Sequence, residues 1–223
     1  MKLRMYLKEY DRLEESLQKE KILEQEMDMV KKRMWMIWVL SAFLLVPAGV
    51  CGAAAGTFSE PVSDWSLLGG YGITHKGLGK TKVQVQVVDL YLQYDRILFG
   101  DVGSSWYRGH HSLLVELPFT LVVDPDVSPM VGVNILGAWT FDSSDSFRPY
   151  LFGGGGILYT DADIPGLGSD INGNWQFGAG IRYRLDSGNW LRFEYRFHHI
   201  SNTGAKDPND PLNSSKFMIG VTF

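Results

Sequence analysis

The chain has 223 residues, 45% of them hydrophobic, with 21 Lys and Arg against 25 Asp and Glu for a net charge of -4. No basic stripe exists beyond the N-terminal region, which argues against a nucleic-acid partner. Glycine (25 residues) and aromatics (13%) suit strands with tight turns better than a helical bundle, and a single cysteine excludes an intramolecular disulfide.

Residues 1–28, MKLRMYLKEYDRLEESLQKEKILEQEMD, are charged and helix-prone. Residues 29–55 then run from a basic cluster (Lys31, Lys32, Arg33) through an apolar stretch to the alanines at 53–55. That order is the pattern of a cleaved secretory signal. The apolar stretch is slightly short of a membrane span, so a single anchoring helix is the competing reading. Signals rarely carry so long a leader, and translation is expected to start at Met27 or Met29. Val50 precedes Cys51 where a lipoprotein signal has Gly or Ala, so Cys51 falls in the discarded segment. The folded domain is expected over residues 56–223.

In that domain, period-two alternation predicts strands separated by turn residues. In chain order they cover 64–76, 82–98, 108–123, 131–141, 146–160, 174–185, 189–197 and 216–223. The second changes phase near Val87 and Val88, which a β-bulge would explain. In NWLRFEYRF (189–197), Leu191, Phe193, Tyr195 and Phe197 share one face, and Arg192, Glu194 and Arg196 the other.

A soluble sandwich would alternate too. However, Arg182, Arg184, Arg192, Glu194 and Arg196 would be costly in a sandwich core and suit the polar interior of a membrane barrel. Trp and Tyr recur near segment ends as in aromatic girdles, and the last strand ends on Phe223, a feature read by outer-membrane assembly machinery. The expectation is an all-β protein: an eight-stranded antiparallel transmembrane β-barrel behind a signal peptide, in the outer membrane of a Gram-negative bacterium. Odd strands then run outward, so the loops 160–172 and 201–213 face the cell exterior, while the DSSDS and LDSGN turns are periplasmic. The inward charges should pair and plug the barrel, since eight strands leave no open channel.

His110 and His111 lack further metal ligands at suitable spacing and read as a strand start. LFGGGGILY (151–159) is followed by neither Lys-Ser/Thr nor a helix, so its glycines mark a bend or close packing rather than a phosphate loop. The Asp-rich loops 123–128 and 161–170 lack the ligand order of a calcium loop.

The chemistry gathers at the end of the seventh strand. By parity His199 and Ser201 fall on the lipid-facing side, about 6.6 Å apart along the strand, close enough for an imidazole to reach a hydroxyl. The segment HISNTGAKDPND (199–210) resembles the active-site segment of the lipid A 3-O-deacylase family, the PagL-like outer-membrane barrels: a His-x-Ser-Asn core, a nearby Gly, then Lys206, Pro208, Asn209 and Asp210. The resemblance implies that Ser201 is the nucleophile and His199 its base. It also implies an oxyanion stabilised by Asn209 and backbone N–H groups near Gly204, with Asn202 shaping the turn. It implies no cofactor and no metal, and a substrate, lipid A of lipopolysaccharide, taken from the outer leaflet. Where the family carries a glutamate as third triad member, this chain has Asn213, which can accept from the imidazole but supplies no charge; Asp207 and Asp210 are the nearby acids. The competing reading is a non-catalytic small barrel serving adhesion or membrane stability. Whether two copies form a homodimer is left open by the sequence.

Overall fold

The computed structural model describes residues 18–19, 63–160 and 164–223. Apart from Gln18 and Lys19, the expected leader and signal segment, Cys51 and the first residues of the expected domain lie outside the described residues.

Among the described residues eight strands follow one another: β1 (Ser63–Thr74), β2 (Gln86–Val102), β3 (Gly109–Asp124), β4 (Ser128–Phe141), β5 (Phe147–Thr160), β6 (Ile171–Arg184), β7 (Trp190–Ser201) and β8 (Leu212–Thr222). Each pairs antiparallel with the next, and β8 pairs with β1 to close the barrel. Closure leaves no unpaired edge. Every expected strand is present. β7 and β8 extend beyond their expected bounds at their facing ends, and that extension carries the wall up to Ser201 and Leu212. The connections 75–85, 125–127, 161–170 and 202–211 share one end of the barrel, and the DSSDS and LDSGN turns share the other.

Alternation sorts the side chains as expected. Phe177, Phe193, Tyr195, Phe217 and Ile219 stand exposed on the outside, while Arg182, Arg192, Glu194, Arg196 and Lys216 are buried inside. An apolar exterior around a polar, filled interior is the construction of a membrane barrel. Inside, Arg196 meets Glu116 at 2.8 Å and also pairs with Glu194, and Arg192 meets Glu194 at 2.7 Å. Lys216 meets Asp89 at 2.9 Å, and Arg182 pairs with Asp95. Gln93 and Gln176 donate to Glu116 at 2.7 and 3.1 Å, so these buried charges are held by hydrogen bonds as well as countercharges.

Toward the loop-rich end the interior turns apolar. Val85, Val87, Val122, Met130, Leu158, Ile200 and Leu212 pack together with Ile164 and Leu167 from the β5–β6 loop. This change of chemistry corrects the reading of β2. Val85, Val87, Asp89, Tyr91, Gln93 and Asp95 are all buried on one unbroken inward face. The register does shift there, with Gln86 opposite Asp124 and Val87 opposite Val122, but the extra residue is Val123 on β3.

The glycine run of β5 marks close packing. A Cβ at Gly156 would come within 1.9 Å of the Val133 carbonyl oxygen, and one at Gly155 within 2.3 Å of that of Asn174. Above the wall, the β5–β6 loop is laced to the β7–β8 loop. Gly168 N–H donates to the Pro208 carbonyl and Asp210 N–H to the Gly166 carbonyl, both at 2.7 Å. The loop that follows Ser201 is therefore fixed from its neighbour as well as from its own ends.

Candidate active site

His199 and Ser201 are the last outward-facing residues of β7. The inward positions between and below them, Ile200 and His198, are buried. His199 lies opposite Asn213 on β8 and opposite Trp175 on β6. The imidazole is thus flanked on both sides by registered neighbours on the outer face of the wall.

One continuous chain of hydrogen bonds results. His199 Nδ1 is 2.7 Å from Asn213 Oδ1, and its Nε2 is 3.3 Å from Ser201 Oγ. The Asn213 carboxamide is held by the β1–β2 loop: its Nδ2 donates to the Leu78 carbonyl at 3.0 Å and to Thr81 Oγ1 at 2.9 Å. With both amide hydrogens engaged there, the oxygen end faces the ring. An oxygen can only accept, so Nδ1 carries the imidazole proton and Nε2 is left with its lone pair toward the serine hydroxyl. The longer of the two bonds is the one to the serine, and such bonds commonly tighten only when substrate is present.

Further contacts pin the same loop. Asn213 N–H donates to Thr81 Oγ1 at 3.0 Å, and His75 N–H donates to the Asn213 carbonyl at 2.8 Å. His75 Nε2 lies 2.8 Å from Ser215 Oγ, which lies 2.9 Å from the Tyr195 hydroxyl. These outward polar groups are all partnered, as a face that meets lipid requires.

Asn202 organises the turn after the serine. Its Oδ1 accepts from Gly204 N–H at 2.9 Å, and its Nδ2 donates to the carbonyls of Lys206 and Pro208 at 2.6 and 3.1 Å. The Gly204 N–H is therefore already engaged. Asn209 turns its Oδ1 to the Asn202 backbone N–H at 3.0 Å, which leaves Nδ2 as the donor end of that amide. Of the two nearby acids, Asp210 pairs with Lys82 at 2.9 Å. Among the described residues no carboxylate bonds to His199.

Three neighbours of the site carry no signal in the motif itself: Leu78 and Thr81 from the β1–β2 loop, and Trp175. The indole of Trp175 stacks on the imidazole, with centroids 4.9 Å apart and planes within 19°. Lower on the same wall, a groove of about 670 Å³ runs between Gly69, Tyr71, Ala179, Phe193, Tyr195 and Phe217. His110 and His111 point to opposite faces of β3. The first is buried beside Asp142, and the second meets Trp139 edge to face, with ring centroids 4.5 Å apart and planes at 78°.

Residues 87–222, more than half of the chain and the whole His199–Ser201–Asn213 constellation, match the family model described as lipid A 3-O-deacylase (PagL). Among solved structures the barrel is similar to the outer membrane enzyme PagL, at 22% identity and a TM-score of 0.54, covering 70% of this chain and 97% of that one. It is also similar to Neisserial surface protein A, at 13% identity and a TM-score of 0.53, covering 73% of this chain and 96% of that one. At such identities the likeness concerns the fold. No curated protein matches the chain in sequence. Closed, eight-stranded and apolar outside, the chain is an outer-membrane β-barrel.

Proposed function

The chain belongs to the lipid A 3-O-deacylase (PagL) family, and from that premise we propose that it is an outer-membrane esterase that removes the acyl chain ester-linked at the 3-position of lipid A. The observation that carries this reading is the bonded sequence Asn213–His199–Ser201 on a wall that faces lipid. A water-soluble substrate could not reach that face. A lipid in the outer leaflet already lies against it.

Ser201 Oγ attacks the ester carbonyl carbon as its proton passes to His199 Nε2. The developing oxyanion is assigned to the Asn209 Nδ2 donor, a role supported by the engagement of Gly204 N–H with Asn202. Cleavage of the bond to the sugar leaves an acyl group on Ser201, and His199 returns the proton to the departing 3-oxygen. Water then repeats the sequence: its proton goes to Nε2, its oxygen to the acyl carbon, and the fatty acid leaves as Ser201 regains its hydrogen. The groove below gives the acyl chain an apolar bed on the same strands. Exposed Lys76, Lys80 and Lys206 in the loops above suit the anionic headgroup.

A non-catalytic barrel would explain the wall and the filled interior equally well. It gives no reason for an oriented imidazole and a hydroxyl on the lipid face, where polar groups are costly. The test is fatty-acid release from lipid A vesicles by purified protein. Wild type should release the 3-O-linked chain and Ser201→Ala should release none. Equal release by the two would remove Ser201 as the nucleophile.

A further inference from the structure

Whenever His199 holds the Ser201 proton it carries a positive charge, and Asn213 offers that charge a dipole but no countercharge. Asp210, the nearby acid with a resolved partner, is bound to Lys82. The face of the imidazole is covered by Trp175, its cross-strand neighbour, stacked at 4.9 Å with planes within 19°. The indole is itself held in place: Phe177 stacks on it at 6.0 Å with planes within 8°, and Phe197 packs at 5.7 Å.

Building on the esterase reading, we propose that Trp175 is a positioning residue whose indole face stabilises the imidazolium of His199 during both proton transfers, taking the electrostatic part of the absent carboxylate. An indole is the best aromatic partner for a cation, and the attraction grows where water is excluded, as it is between two stacked rings whose centroids lie 4.9 Å apart. Neutral imidazole gains far less from the same stacking. The benefit therefore appears as the proton moves, which lowers the barrier without tightening substrate binding. A tryptophan that merely anchored the barrel at the membrane surface would need interfacial depth, but no coplanar contact with one histidine.

The test places mono-, di- and trifluorotryptophan at position 175 and adds Trp175→Phe and Trp175→Leu. Fluorine withdraws charge from the indole face while nearly keeping its shape, so a packing or anchoring role would not respond to it. Two rates are read: kcat on lipid A vesicles, and phosphonylation of Ser201 by a serine-directed phosphonate, which also transfers the serine proton to His199. Both should fall in the order tryptophan, fluorotryptophans, Phe, Leu, by roughly three- to thirty-fold across the series, with KM unchanged. A flat fluorotryptophan series, or an effect confined to KM, would overturn the proposal. If wild type itself is not labelled at Ser201, the esterase reading fails. Labelled wild type with a flat series removes only the role of Trp175.

Discussion

The carboxamide of Asn213 meets His199 oxygen first, at 2.7 Å from Nδ1. It cannot turn over, because its nitrogen end is bound to the Leu78 carbonyl and to Thr81 Oγ1. Tautomer control, one of the two services of a triad acid, is thus retained without an acid. The other service, negative charge, is missing from that position.

It follows that restoring an acid should not improve the site. In Asn213→Asp one carboxylate oxygen would face the Leu78 carbonyl, which now accepts at 3.0 Å from the amide, so two acceptors would oppose each other. Deacylation of lipid A should fall about tenfold, the effect of one lost hydrogen bond with an unpaired acceptor left behind. Asn213→Ala should fall further, toward the roughly 10⁴ associated with a wrong triad tautomer. An Asp variant faster than wild type would show that the amide is a defect instead of a fitted part.

Thr81 should matter although it touches no substrate. Its hydroxyl oxygen accepts from both the backbone and the side chain of Asn213, at 3.0 and 2.9 Å. Thr81→Val leaves both donors without it. We expect kcat to drop about tenfold, with Thr81→Ser recovering most of the loss. Heat-modifiable migration on gels should remain as in wild type, since the loop lies above a barrel held elsewhere.

The interior network should govern stability and leave chemistry alone. Arg196 is fully buried between Glu116 and Glu194. Arg196→Met would leave Glu116 without a countercharge, and Glu194 with Arg192 alone, and should cost about 3–5 kcal/mol. Urea unfolding in detergent reads that loss. Deacylation well below the transition should stay close to wild type, because the guanidinium lies on the opposite face of β7 from His199.

A glycine on β5 and one on β4 give a paired test. Gly156→Ala would force a Cβ to within 1.9 Å of the Val133 carbonyl oxygen, whereas a Cβ at Gly137 meets nothing within 4 Å. Refolding into micelles should fail or fall sharply for the first and proceed normally for Gly137→Ala.

Much of this architecture was legible in the sequence. Alternation carries the eight strands, and simple parity puts His199 and Ser201 on the outward face with Phe197 and Tyr195. β2 was misread because hydrophobic pattern and geometric parity separate there: its inward face passes from Val85 and Val87 to Asp89 and Gln93 without changing sides. Trp175 opposite His199 was within reach, since the tight LDSGN turn pins the β6–β7 register. Leu78 and Thr81 were not, because a loop folding back over a wall leaves no period to read. Gly204 illustrates the same limit. Its N–H looks available in the motif and is taken by a side chain two residues earlier.

The most direct measurement is the mass spectrum of lipid A from outer membranes carrying wild type or Ser201→Ala at equal, folded abundance. The account predicts that wild type converts lipid A to a species lighter by one acyl chain with a free 3-hydroxyl, and that Ser201→Ala leaves it intact. Unchanged lipid A with wild type, or the same conversion with both, would contradict it.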